Sequence, residues 1–151
     1  MPNSPEKQLF DSAKSYYLGA TLLMKPPESS ELPAHLVQPA VTCASLSLKL
    51  YIKCLLALES KDKEDSLYSI ADLYRALSEA TKKLVLIKFD EFSNSELTSD
   101  DLLKHLEALD ASLSKWRYIH VDDAKNVNLE DMEEMILAVK AAVLMKKTEW
   151  E

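Results

Sequence analysis

Residues 116–123, WRYIHVDD, form the densest group of side chains that could take part in chemistry. Arg117 and His120 are three positions apart, so on a continuing helix they would share one face. An arginine can neutralise a phosphate and a histidine can move a proton near neutral pH, so the pair suits cleavage of a phosphodiester. Asp122 or Asp123 would then orient the imidazole of His120. Arg117, His120 and Asp122 are therefore the candidate catalytic residues.

The same segment also has a purely structural interpretation. Trp116 and Tyr118 would pack against the fold, and Arg117 would pair with a nearby carboxylate. His120 would then be an exposed loop residue. The residues alone leave both interpretations open.

We predict neither a metal nor a cofactor. The other histidines, His35 and His105, belong to no HxxxH or HExxH spacing, and the chain has no CxxC pair. A single glycine, Gly19, leaves no glycine-rich loop for a nucleotide. Cys43 and Cys54 lie eleven positions apart on one predicted helix, about 16 Å, too far for a disulfide. We expect free thiols that serve as small apolar core residues.

The element that must position these residues is a helix predicted over about residues 32–60. Its apolar residues recur at helical spacing in two neighbouring rows: Val37, Val41, Ala44, Leu48, Tyr51 and Leu55, then Leu46, Leu50, Cys54 and Leu58. Only a narrow stripe, formed by Thr42, Ser45, Lys49 and Lys53, is polar enough to face solvent. A helix that is apolar around most of its circumference must be surrounded by other elements.

Start and stop signals divide the remainder into further helices. We predict one helix from Ser4-Pro5 to Met24 and another from about Leu67 to Leu77. A further helix should follow a cap at Ser78, the next should run from Thr98 to about Trp116, and the last should begin at Asn128. Pro39 should kink the central helix or mark its true start. The fold class is therefore all-α, an up-and-down bundle of five to six helices forming one domain over residues 1–151.

The net charge and the N-terminal sequence indicate the class of partner and the cellular location. The net charge of −7 and a pI near 5.0 argue mildly against a protein that grips nucleic acid over a wide surface. The N-terminus lacks the basic-then-apolar layout of a signal peptide, and no uncharged apolar run reaches the length of a membrane span. We expect a soluble, cytoplasmic protein that does not bind a membrane.

Three stretches resemble the HEPN (higher eukaryotes and prokaryotes nucleotide-binding) domains. SLSLKLYIKCLLALE is similar to their signature helix, YSIADLYRALSEATKKLVLIKF to an "HDLxxLYxxL" helix and its successor, and KWRYIH to a "WRYxYE" junction. The resemblance implies a four- or five-helix bundle, often a homodimer, in toxin–antitoxin, defence or RNA-processing systems. Active members are metal-independent ribonucleases with an Arg-x(4–6)-His motif.

This chain departs from that motif in two places. The positions where the histidine should follow Arg117 hold Asp122, Asp123 and Ala124, and His120 comes too early. Tyr68 stands where the histidine of "HDL" would be. The resemblance therefore favours a non-catalytic or degenerate HEPN-like module that dimerises and binds a protein or RNA partner.

Two alternatives remain open. One is a metal-independent ribonuclease that uses Arg117 and His120. The other is a helical adaptor or scaffold whose apolar groove accepts an amphipathic helix. Methionines on the last helix (Met132, Met135 and Met145) would give the adaptor an adaptable surface, or else simply fill the core. A small basic patch of Arg75, Lys82, Lys83 and Lys88 is either a binding feature or an ordinary exposed helix face.

The ribonuclease alternative makes a direct prediction. Purified protein should cleave single-stranded RNA without added metal, and Arg117→Ala and His120→Ala should each lower the rate by roughly 100-fold or more. Gel analysis of labelled RNA incubated at several pH values measures this. RNA that stays intact with the wild-type protein removes the alternative.

Overall fold

The computed structural model describes residues 4–24, 34–59, 69–93, 98–115 and 129–150, and within these ranges the chain is helical with no strand. The predicted all-α class is confirmed. The helices are α1 (Pro5–Met24), α2 (Ala34–Leu58), α3 (Ile70–Ala76), α4 (Glu79–Ser93), α5 (Ser99–Lys115) and α6 (Leu129–Lys146), followed by a 3₁₀ turn at Thr148–Trp150.

Helix α2 is the centre of the bundle, as predicted. It packs against α1, α3 and α6, while α4 lies on α5 and α6. Leu48, Tyr51, Ile52 and Leu55 of α2 are completely buried. Burying such side chains contributes about 1.5–3 kcal/mol each, so α2 supplies much of the hydrophobic free energy of folding.

Helix α1 runs antiparallel to α2 and is joined to it by side-chain to backbone hydrogen bonds. The Ser47 hydroxyl donates to the carbonyl oxygen of Ala13 at 2.7 Å. The Cys54 thiol donates to the carbonyl oxygen of Glu6 at 3.4 Å. The residue number on α1 decreases as the residue number on α2 increases, so the two helices are antiparallel. The two bonds also fix the register of the pair.

The stripe of α2 that faces water differs from the predicted one. Ser45 is buried and its hydroxyl donates to the carbonyl oxygen of Val41, while Leu46 is exposed. A hydroxyl can be buried in a helix because the carbonyl one turn earlier accepts its proton. Neighbouring helices cover both of the positions on α2 that carry Ser45 and Ser47, and they leave the Leu46 side open.

The predicted caps are confirmed wherever their side chains are described. The Ser4 hydroxyl accepts from the Lys7 amide at the start of α1, and the Ser78 hydroxyl accepts from the Thr81 amide at the start of α4. Thr98 and Asp101 form a reciprocal capping box at the start of α5, each side chain accepting from the other's amide at 3.1 Å. These bonds satisfy amides that the helices themselves leave unpaired.

Helix α3 begins three residues later than predicted because a distant carboxylate defines its first turn. Both oxygens of Asp110, on α5, accept from the amides of Ile70 and Ala71 at 2.9 Å. The Ser69 hydroxyl accepts from the Asp72 amide. A seven-residue helix is too short to be stable alone, so these caps and its packing on α2 and α5 hold it in place.

The structure removes one of the two alternatives predicted for Pro39. Pro39 lies inside α2, five residues after its first residue, so it does not mark the start of the helix.

Residues Pro39–Leu58 are long and apolar enough to cross a membrane by length and composition, with a mean hydropathy of 1.6. More than half of this stretch (56%) is buried inside the fold, which is typical of the core helix of a bundle.

Gly19 provides a test of how closely α1 and α2 approach. A methyl group on Gly19 would lie 3.8 Å from the Cys43 sulfur, an ordinary van der Waals contact. Alanine is the better helix former, so Gly19→Ala should raise the free energy of unfolding by about 0.5–1 kcal/mol, measured by urea denaturation. The control Ala20→Gly at a buried position should lower it by at least about 1 kcal/mol. Destabilisation by Gly19→Ala would contradict the described spacing.

Candidate functional site

The predicted catalytic residues Arg117, His120 and Asp122 lie outside the described residues, as do Trp116, Tyr118 and Asp123. Helix α5 ends before them at Lys115 and α6 begins after them at Leu129. Their role therefore stays a prediction. The described helices carry other polar and apolar groups that could form a site.

A tyrosine–carboxylate pair joins α1 to the first turns of α6. The Tyr17 hydroxyl donates to Oε1 of Glu133 at 2.9 Å. Burial, the hydrogen bond to Glu133 and the charge of that carboxylate together raise the pKa of Tyr17 to about 12. Tyr17 therefore keeps its proton at neutral pH and donates a hydrogen bond. A group with so high a pKa does not serve as an acid–base catalyst near pH 7.

Tyr51 lies behind this pair in the core. Its ring packs edge-on against Phe10 with centroids 5.7 Å apart, and its hydroxyl is buried without a hydrogen-bond partner among the described residues. Burial, with smaller contributions from the neighbouring Tyr17 and Cys54, raises its pKa above the usual value. A phenol in this environment stays neutral, so Tyr51 contributes packing rather than acid–base chemistry.

The two cysteines are free thiols, which confirms the sequence prediction. Burial, with a smaller contribution from Glu6, raises the pKa of the Cys54 thiol to about 12, although Lys7 acts in the opposite direction. A thiol is reactive only as thiolate, so Cys54 is inert at neutral pH. Cys43 is half-buried at the line where α1 meets α2.

A polar cluster joins the end of α2 to the start of α4. The Glu59 carboxylate accepts from the Ser78 amide at 3.1 Å, from the Ser78 hydroxyl at 2.8 Å and from the Thr81 hydroxyl. Partial burial works to raise the pKa of Glu59, but these hydrogen bonds and the positive charge of Lys146 lower it below the usual value. A carboxylate held at a helix N-terminus by three hydrogen bonds, which engage both of its oxygens, is a structural cap.

The predicted basic patch has much of its charge neutralised. Arg75 pairs with Asp72 and with Glu107, Lys82 with Glu79, and Lys88 with Glu91. Ion pairs of this exposed kind contribute little stability, but they do reduce the net positive potential that a nucleic acid would meet. Lys83 is exposed on the same helix.

No described group of three or more histidine, cysteine, aspartate or glutamate side chains could hold a metal ion. Hydrogen bonds with Thr98 lower the pKa of Asp101, and the nearby Lys104 and His105 make smaller contributions in the same direction. A narrow cavity between α2, α4, α5 and α6 has apolar walls, among them Leu48, Phe89 and Val139, and has room for about one water-sized molecule. It is a packing gap rather than a ligand site.

The surface feature that the sequence analysis missed is apolar. Seven large hydrophobic side chains are exposed in the described part of the chain, and four of them belong to α1 and α2: Tyr16 (41%), Leu18 (59%), Leu22 (69%) and Leu46 (38%). By contrast, Met132 and Met135 are buried, so the methionine-rich surface considered for an adaptor is reduced to Met145. The helical period groups residues by face but does not identify the face that a neighbouring helix will cover.

Two stripes of this surface meet where α1 touches α2. Tyr16, Gly19 and Leu23 share one face of α1 because they are three and four positions apart. Cys43, Leu46 and Leu50 share one face of α2 for the same reason. A Cβ built on Gly19 would lie 3.8 Å from the Cys43 sulfur, so the two stripes lie side by side. These six residues are called the seam surface below.

Comparison with protein-family models, with curated proteins and with solved structures finds no match for this chain.

The Glu59 cluster predicts a specific pH dependence of stability. The pKa of Glu59 is lower in the folded chain than the ordinary 4.5, so its stabilising contribution is complete above about pH 4.5 and disappears as the pH falls through the folded value. Glu59→Gln should lower the melting temperature at pH 7 by a few degrees (about 2–4 °C per kcal/mol lost), and the difference from wild type should shrink below pH 4.5.

Differential scanning calorimetry at pH 7 and at steps below 4.5 measures this difference. Glu91→Gln, which removes only a surface pair with Lys88, is the matched control and should change the melting temperature by less than about 1 °C at every pH. A Glu59→Gln effect that stayed constant with pH would contradict the role of the carboxylate charge.

Proposed function

We propose that the chain is a non-catalytic, HEPN-like helical module that dimerises and binds a further protein. The observation that supports binding is the exposed apolar surface of α1 and α2, which includes Tyr16, Leu18, Leu22 and Leu46. Four of the seven exposed large hydrophobic side chains of the described residues lie on this packed pair of helices, and Leu18 and Leu22, four positions apart, share one face of α1. The dimer is proposed from the resemblance of the sequence to HEPN domains.

The polar groups of the described helices support the non-catalytic part of the proposal. Glu59, Asp101 and Asp110 are engaged in capping helices, and Tyr17 donates to Glu133. The groups whose pKa is raised, Tyr17, Tyr51 and Cys54, keep their protons at neutral pH. Enzymes that use acid–base catalysis place a group that titrates near neutral pH beside an open site.

Charge favours a protein partner over RNA. The chain carries a net charge of −7, which repels a phosphate backbone over the long range. The cationic side chains of α4 and of the end of α3 are largely paired with carboxylates. A partner held by apolar contact avoids both obstacles, because hydrophobic burial does not depend on net charge.

Light scattering after size-exclusion chromatography tests the proposal. At micromolar concentration the wild-type chain should have twice the 17.0 kDa mass of one chain. A strict monomer would remove the dimer and leave the binding of a further protein to be judged separately.

Binding of a further protein is tested by affinity purification from the source cell. A protein that co-purifies in stoichiometric amount with wild type should be lost with the double variant Leu18→Ser/Leu22→Ser. These side chains are already exposed, so the change should leave the melting temperature within about 2 °C. Ile87→Ser, which alters an exposed side chain on α4, is the matched control and should retain the partner. Equal recovery from the double variant would contradict binding through α1 and α2.

A further inference from the structure

We infer that the short 3₁₀ turn after α6, Thr148–Trp150, is a latch that closes over the start of α1 and opens while the bundle stays folded. The Trp150 ring is the part that closes, and the Lys7 ammonium holds it shut. Opening uncovers Phe10, so the latch controls access to an aromatic surface at the start of α1. This closure is independent of the protein binding proposed above.

The latch has few attachments to the bundle. Its backbone follows α6, and the Trp150 amide donates to the carbonyl oxygen of Lys147 at 3.1 Å. None of its three residues is fully buried. The contact that reaches α1 is the Trp150 ring, whose centroid lies 5.3 Å from that of Phe10 at an angle of 44°. A three-residue turn with one large anchoring side chain has little to break, so it opens without unfolding α1 or α6.

The Trp150 ring closes over an aromatic side chain of the core. Phe10 is 1% exposed and packs edge-on against Tyr51, with centroids 5.7 Å apart. Trp150 itself is half-buried, so it forms the outermost of three aromatic rings in contact. Removal of this outer ring opens the face of Phe10 to solvent, while Tyr51 continues to hold Phe10 from below.

Two ammonium groups hold the Trp150 ring. Nζ of Lys7 lies 5.0 Å from the Phe10 centroid and 5.6 Å from the Trp150 centroid, so one cation links both rings. Nζ of Lys147 lies 5.9 Å from the Trp150 centroid. Aromatic rings attract a cation within about 6 Å of the centroid, and tryptophan does so most strongly. The Asp11 carboxylate accepts from the Lys7 ammonium at 2.6 Å, which helps to fix the position of the cation.

The two cations should differ in strength. The Lys7 side chain is 26% exposed and the Lys147 side chain 41% exposed, and Lys147 is also the farther from the Trp150 ring. Because water weakens the attraction between a cation and a ring, Lys7 should be the main closing charge.

Opening is measured in a Trp116→Phe background, in which Trp150 is the single tryptophan of the chain. Amide hydrogen exchange followed by NMR should show the Trp150 amide exchanging at least roughly ten-fold faster than that of Val139, which is buried in α6. On heating, the fluorescence of Trp150 should shift to longer wavelength below the temperature at which circular dichroism reports loss of helix.

Removal of the Lys7 charge should open the latch. Lys7→Met should raise the exchange rate of the Trp150 amide by roughly three- to ten-fold, and Lys7→Arg, which keeps a cation over the rings, should restore it to within roughly two-fold of wild type. Lys147→Met should have a smaller effect, roughly two-fold. Lys14→Met, the matched control about two turns further along α1, should leave the rate unchanged, and the Val139 rate should stay constant in every variant.

Three results would overturn the inference. Emission and acrylamide quenching of Trp150 equal to those of free tryptophan would show that the latch is not closed. Equal exchange rates of the Trp150 and Val139 amides would show that the turn opens only when the bundle unfolds. Equal Trp150 rates in Lys7→Met and Lys14→Met would show that the Lys7 charge does not hold the ring.

Discussion

The hydrogen bond from the Ser47 hydroxyl to the carbonyl of Ala13 is the constraint on which much of the architecture depends. Both groups are buried, and the Ala13 carbonyl also accepts a backbone amide within α1, so a shift of α1 would leave the Ser47 hydroxyl without this acceptor in the core. A one-residue slip of α1 along α2 would break it together with the bond from Cys54 to Glu6. Register is therefore specified by polar atoms, while the hydrophobic contacts around Tyr51 and Leu48 supply most of the free energy.

That register decides which side chains face water. With α1 held over the Ser47 side of α2, the Leu46 side stays open and the apolar stripes of the two helices lie next to each other. The exposed apolar area thus follows from the same contact that stabilises the core. Both walls of the seam belong to long helices whose inner faces are buried.

The sequence predicts the existence and type of the helices well, because apolar periodicity and capping residues are local signals. Ser4, Ser78 and the Thr98–Asp101 box lie at the helix starts they predict. The start of α3 was predicted too early, because its cap comes from Asp110, some forty positions further along the chain. The exposure of Leu46 and Tyr16 could not be predicted either, since periodicity groups residues by face and only tertiary packing selects the covered face.

The catalytic residues that the sequence predicts, Arg117, His120 and Asp122, lie outside the described residues and stay a prediction. The Arg117–His120 pair stands out by residue type, but the departures from the Arg-x(4–6)-His pattern already weaken the catalytic interpretation. The feature on which the proposal depends, the exposed apolar side chains of α1 and α2, has no local signal, because the sequence does not show which face of a helix its neighbours leave uncovered.

The cap that Asp110 provides to α3 has a consequence for the order of assembly. Seven residues cannot sustain a helix in isolation, and the two amides at its start find their acceptors only when α5 has arrived. Helix α3 should therefore be among the last segments to become ordered during folding and among the first to exchange amide protons. Loosening of α5 would release the start of α3 at once, so the two helices form a single cooperative unit within the bundle.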